Sequence, residues 1–223
     1  VIEEMRPQFH YTAISVQAVL VACAASEVKD RVFLGDAMVL PMESFDAPQV
    51  EALWVFPVFG ALIGIIGFGF NNLLLGVVDR AARAAEWERL VFAALVGGVV
   101  GWLSLVVPHA VGGGERLVEN ALGGAIPPAI LLFLFLGRFL LTVASYGTGA
   151  PGGIFAPMLA LGTLFGLWFG QISHGALPGL IEHPEVFTVA AMGALFSATV
   201  RAPITGIALA MELTGSYAQL MPI

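Results

Sequence analysis

The sequence predicts an all-α, polytopic membrane protein built from tilted and broken helices, and three observations carry that prediction. Of 223 residues, 58% are hydrophobic and 11% charged, with a mean hydropathy of +0.91. A soluble domain carries about 25% charged residues, so this chain could not clothe a soluble surface. The apolar residues fall into segments near 10–25, 52–78, 90–107, 126–146, 154–172, 186–200 and 203–214. Crossing the hydrocarbon core takes about 20 helical residues, and several of these segments are shorter. Some must stop part-way, which is tolerated only where the freed N–H and C=O groups are buried in protein or line a watery cavity. Broken helices therefore imply a binding site or a pathway.

Taken in order, the chain opens on Val1 and Ile2 with no visible signal peptide and runs at once into Glu3, Glu4 and Arg6. It reads as a piece of a longer chain. The only cysteine, Cys23, lies in the first apolar segment and has no internal disulfide partner. The connection from Ser26 to Glu51 is mainly acidic, with Glu27, Asp30, Asp36, Glu43, Asp46 and Glu51. After segment 52–78 comes DRAARAAEWER, residues 79–89, which holds Arg80, Arg83 and Arg89, a third of the nine Lys+Arg residues. The positive-inside rule places this connection on the cytoplasmic side. The acidic connection, one crossing away, then faces outward, and Glu3, Glu4 and Arg6 lie at a cytoplasmic end. The net charge of −7 is thus a property of the loops. No nucleic acid is expected as a partner.

The glycine pairs Gly60-x-x-x-Gly64 and Gly97-x-x-x-Gly101, and the longer Gly162-x-x-x-Gly166-x-x-x-Gly170, put small residues on one helix face. They predict close helix packing within a bundle or at a subunit interface. The turn PHAVGGGER, residues 108–116, lacks the lysine and following Ser/Thr of a phosphate-binding loop and reads as an outward loop. His109, His174 and His183 have no metal-ligand spacing. No Ser-His-Asp or Cys-His arrangement stands out, so the chain is not expected to be an enzyme. A short internal echo, Glu4-Met5 with Phe9 against Glu212-Leu213 with Tyr217, suggests the end of one repeat followed by most of another.

The stretch GTGAPGGIFAP, residues 147–157, sets four glycines and two prolines between two apolar runs without a single charge. Gly147, Gly149, Gly152 and Gly153 allow unusual backbone angles and close approach, Pro151 ends the preceding helix, and Ile154 to Pro157 make a first helical turn. The result is a helix N-terminus delivered inside the membrane. Free N–H groups and about half a positive charge there can hold an anion without lysine or arginine. A full cation would bind the ion too firmly and is costly to bury. A plain Gly-Pro hinge between packed helices would carry the same residues. A second break, TVRAPITGIALAMEL at 199–213, places Arg201 before Pro203, where it is expected to cap a carbonyl or pair with a carboxylate rather than touch an ion.

Three blocks, in order from the first residues to the last, are IEEMRPQFHYT, GTGAPGGIFAPMLALGTLFG and MGALFSATVRAPITGIALAMELT. Together they resemble the CLC chloride channel and transporter family, specifically its bacterial proton-coupled members. The resemblance implies a CLC-type inverted-repeat architecture, multi-pass in the inner cell membrane. Residues 1–223 would supply the end of the first repeat and most of the second. It implies a homodimer in the lipid bilayer, with one anion pathway per subunit. Chloride and protons would be the transported ions, with no cofactor and no metal. In the signature Gly153-Ile154-Phe155-Ala156-Pro157, the backbone N–H groups of Ile154 and Phe155 would contact the central anion, with Gly153 beside them. Glu4 stands at the family's internal proton-transfer glutamate, and Glu3 would help shape a water route to it. Physics alone leaves Glu4 open, since a carboxylate at a membrane boundary can relay protons or serve as a solvated helix-end charge.

The family's serine and gating-glutamate signatures belong upstream of Val1, and its site tyrosine beyond Ile223; Tyr217 is not that residue. Thr148 stands where serine is frequent and keeps the hydroxyl. This chain alone is therefore expected to transport nothing, while its parent exchanges chloride for protons. The alternatives are a passive chloride channel, an exchanger of another small anion such as fluoride or nitrate, and a non-conducting, dimerising membrane module.

Overall fold

A computed structural model describes residues 13–34, 50–108, 111–114, 117–118, 120–121, 126–150 and 152–214. These residues form seven α-helices and no strand: α1 Ala13–Leu34, α2 Val55–Arg83, α3 Glu86–Val106, α4 Pro128–Gly147, α5 Phe155–Ala176, α6 Val186–Val200 and α7 Pro203–Thr214. Helices α2 to α5 are each long and apolar enough to cross a membrane. With 15 and 12 residues, α6 and α7 are not, as the short apolar runs required. From the internal echo, Glu4 to Phe9 and Tyr217 lie outside the described residues, as does His109.

Two connections differ from expectation: α1 continues to Leu34, so residues 26–34 of the acidic connection are helix, and the second difference lies after α2. Residues 79–89 are mostly helix, α2 running on to Arg83 and α3 starting at Glu86, so only Ala84 and Ala85 link them. Arg80 and Arg83 fall in the last turn of α2 and Glu86 and Glu88 in the first turn of α3, each charge opposing the helix dipole at its own end. Glu88 also accepts the Ala85 N–H at 3.0 Å, closing the start of α3. Charged residues that punctuate hydropathy are good helix formers, and here they end the apolar span without ending the helix.

Helix α5 is the core. Met158, Leu161 and Leu164 on it are fully buried. It runs antiparallel to α6 at backbone contact: a Cβ on Gly162 would lie 2.8 Å from Met192 Cα, one on Gly166 2.6 Å from Thr188 Cα, and one on Gly170 would strike the Pro184 carbonyl. The long glycine stripe thus does what its spacing predicted. A Cβ on Gly60, Gly64, Gly97 or Gly101 would meet nothing within 4 Å, so among the described residues those pairs join no helices. Spacing puts small residues on a face but does not say which face has a neighbour.

Helix α2 runs parallel to α6. Phe56 stacks on Phe187 with ring centroids 4.8 Å apart, and further along a Cβ on Gly67 would lie 2.7 Å from Ala198 Cβ. Phe59, Phe165 and Phe169 complete an aromatic cluster around Phe187, with Phe59 to Phe169 at 4.7 Å and Phe59 to Phe187 at 5.2 Å. On the other side of the core, Phe70 meets Phe139 of α4 edge to face. Helix α3 buries no residue, and every described side chain of α1 is exposed. Phe68, Leu95, Leu105 and Phe133 are exposed too, a surface made for lipid or for further protein.

Helices α6 and α7 form a tight hairpin. Gly206 of α7 sits against Ser197 and the Gly193 carbonyl of α6, contacts that leave no room for a side chain. The turn between them is Arg201 and Ala202.

Candidate anion-binding site

Helix α4 ends at Gly147, a residue that packs directly on Val77 of α2 and Phe92 of α3, where any side chain would collide. The chain then closes on itself: the Thr148 N–H donates to the Ser145 carbonyl at 3.2 Å and the Gly149 N–H to the Tyr146 carbonyl at 3.1 Å. Gly149 takes φ +76°, a left-handed angle that costs glycine nothing. The Thr148 hydroxyl donates to the Ser145 carbonyl at 2.6 Å and accepts the Ala150 N–H at 3.3 Å. The Tyr146 hydroxyl spans the turn to the Gly152 carbonyl at 3.3 Å. Pro151 lies outside the described residues.

Gly152 and Gly153 are exposed, and α5 starts immediately after them with Ile154 as its N-cap. No side chain caps this end. The first helical bond runs from the Met158 N–H to the Ile154 carbonyl at 3.1 Å. Of the four positions that precede it, Pro157 has no hydrogen to give, which leaves the N–H groups of Ile154, Phe155 and Ala156 outside the ladder. The three are successive, point along one axis and carry the positive end of a 22-residue helix.

This end lies at membrane depth. The Phe155 ring meets Phe196 edge to face at 5.7 Å, and Phe196 is two residues from Ala198, which abuts Gly67. Gly67 is close to the midpoint of the uncharged run 52–78 of α2. The helix start is therefore level with the middle of a spanning helix, as the glycine-proline pattern predicted. The exposed Gly152–Gly153 edge opens on a cavity of about 470 Å³ between α3 and α4, lined by Val96 and Gly97 on one side and Arg138, Thr142 and Ser145 on the other.

Two arginines border this region. The Arg89 guanidinium is 3.9 Å from where a Cβ on Gly149 would stand. Arg138 is buried near the middle of α4 and donates from Nη2 to the Gly112 carbonyl, while the Thr142 hydroxyl donates to its main-chain carbonyl at 2.8 Å. Arg138 was not singled out from the sequence, although it is the single charged residue in the apolar run 126–146, itself a signal that the position faces protein or water. The turn role of Tyr146 left no such trace. Gly153, Ile154 and Phe155 are thus brought together at one helix end; Glu3 and Glu4 lie outside the described residues. Among the described residues no cluster of His, Cys, Asp or Glu is arranged to hold a metal.

An uncapped helix end at this depth, after a G-x-F-x-P turn, is the arrangement that the blocks quoted from the sequence implied. The family description for the voltage gated chloride channel matches residues 1–223. The chain belongs to that family. It is 46% identical over 226 residues to the H(+)/Cl(-) exchange transporter ClcA of Vibrio cholerae, an alignment that covers 100% of this chain and 48% of the relative. It is 40% identical to the protein of the same name from Citrobacter koseri, with the same coverage. The crystal structure of a slow cyanobacterial Cl−/H+ antiporter superposes with a TM-score of 0.90 at 34% identity, over 99% of this chain and 52% of that one. The voltage gated chloride channel fold is therefore present, and the chain spans about half the length of the family members it matches.

Proposed function

We propose that the full-length protein exchanges chloride for protons across a bacterial inner membrane, as a homodimer and without enzymatic activity, cofactor or metal. The observation that carries this reading is the uncapped start of α5 at membrane depth, where the N–H groups of Ile154, Phe155 and Ala156 precede the first helical bond. An anion resting there replaces part of its hydration with the fixed dipoles of the helix end. Ile154 and Phe155 are the donors to the anion, and exposed Gly152 and Gly153 leave it room to approach. The names of the relatives, exchange transporters and an antiporter, favour coupled exchange over passive flow. In this reading Glu4 is the internal proton relay and Glu3 its water-side neighbour.

The test is made on the full-length protein in liposomes, with chloride and proton fluxes measured together. Chloride-driven uphill proton movement in the wild type, lost in Glu4→Gln while chloride still flows, supports the assignment. Chloride flux with no coupled proton movement in either protein refutes exchange and leaves a channel. Absence of any anion flux refutes transport and leaves a dimerising module.

A further inference from the structure

The tip of the α6–α7 hairpin combines three observations that the transport reading has not used. First, it lies at hydrocarbon depth. Asn71 of α2 donates from Nδ2 to the Thr199 carbonyl at 2.9 Å, so the last turn of α6 is level with Asn71. Asp79, where the charged end of α2 begins, is eight helical steps beyond Asn71, so Thr199 lies about 12 Å short of that level. Second, Arg201 at this tip has φ +62° and ψ +33°, the one non-glycine residue with positive φ among those described. Its N–H donates to the Ser197 carbonyl at 2.8 Å, so the backbone needs only a left-handed residue there, which glycine supplies without strain. Third, Arg201 is exposed, whereas Ala202 beside it is fully buried.

The carbonyl cap that the sequence led us to expect of Arg201 is supplied by Asn71 instead. The arginine side chain is left with no carboxylate or carbonyl partner among the described residues. A guanidinium at this depth reaches for water, for a carbonyl or for an anionic group, because its burial in hydrocarbon is costly. The side chain, and not the turn, is what makes arginine worth its strain at this position.

We propose that Arg201 collects the transported inorganic anion: its exposed guanidinium stands on the side that carries Arg80 and Arg83 and concentrates the anion there. This rests on the transport reading above. The anion is in transit and not held at this point, because one cation facing water attracts an ion over several ångströms without stripping its hydration. The effect falls on how much anion is needed for half-maximal flux and leaves the maximal rate alone.

The experiment uses full-length protein in proteoliposomes, with chloride varied on the Arg80/Arg83 side and ionic strength set by an impermeant salt. Arg201→Gln and Arg201→Gly are expected to raise KM for chloride about three- to tenfold at low ionic strength with the maximal rate preserved, and Arg201→Lys to restore the wild-type value. The difference shrinks at high ionic strength, since the interaction crosses water. Arg201→Gly, freed of left-handed strain, melts no lower than wild type yet shares the KM defect. An active wild type with KM unchanged in Arg201→Gln overturns the assignment. So does a large drop in melting temperature in both Arg201→Gln and Arg201→Gly, the signature of a carboxylate partner in the rest of the protein. A wild type that moves no anion refutes the transport reading itself, and this assignment with it.

Discussion

Replacing Gly166 by alanine tests whether α5 and α6 are held at backbone contact. The new Cβ would lie 2.5 Å from the Phe187 carbonyl oxygen, 2.6 Å from Thr188 Cα and 2.9 Å from Ala191 Cβ, against ordinary contacts of 3.4–4 Å. Two of the three are backbone atoms that no rotamer change can move. The helices must part by about 0.8–0.9 Å, a gap that forfeits a quarter to a half of the dispersion energy along the seam. Phe187 cannot retreat freely because it is stacked on Phe56 and packed edge-on against Phe59 and Phe169. The cost therefore falls toward the upper end of the overpacking range, about 2–3 kcal/mol. In a protein about twice the length of this chain, at about 1–2 °C per kcal/mol, the melting temperature falls by about 2–6 °C. Intrinsic fluorescence of the detergent-solubilised full-length protein, heated with and without the substitution, measures it. Gly175→Ala on the same helix is the control: nothing lies within 4 Å of that position, and alanine is the better helix former. A Gly166→Ala protein that melts with the wild type, or a Gly175→Ala protein that falls equally far, refutes the close-contact argument.

Three further outcomes are expected. Thr148→Val removes both hydrogen bonds of the hydroxyl and costs about 1–2 kcal/mol, whereas Thr148→Ser keeps them; chloride titration by calorimetry should show weaker binding in the valine variant alone. Gly149→Ala forces a side chain into φ +76° at about 1–2 kcal/mol, so hydrogen exchange in residues 148–156 should accelerate while exchange along the middle of α5 stays unchanged. Asn71→Leu leaves the Thr199 carbonyl without its partner at membrane depth, at about 1–3 kcal/mol, and should speed exchange around residues 199–206; protection there equal to wild type would dismiss Asn71 as the support of the hairpin tip.

The apolar runs and glycine-proline breaks announced the helices, because the bilayer forbids most alternatives and the breaks use residues with a local mechanism. The 26–51 and 79–89 connections were both drawn too long, for there hydropathy reports the membrane boundary and not the end of a helix. The start of α5 was legible since Gly149, Gly152, Gly153 and Pro157 act on their own backbone. Asn71 was not, although an asparagine inside the run 52–78 was a visible anomaly, because its partner is 128 residues away and only tertiary packing joins them. The same reason hid the cap that relieves Arg201 of its expected task. The stripe Gly162, Gly166 and Gly170 of α5 and the pair Gly97 and Gly101 of α3 look alike in sequence, and only a neighbouring helix separates a packed stripe from an open one.

The interlocked rings of Phe56, Phe59, Phe169 and Phe187 sit at one end of the α2–α5–α6 unit, and the glycine turn and hairpin tip lie toward the other. That far end is gripped as well: Phe155 meets Phe196 edge to face, and Gly67 and Gly206 bring α2 and α7 into close contact with α6. The unit is thus clamped at both ends, by large rings at one and by small residues at the other, and the amides of Ile154 and Phe155 start from a held helix end.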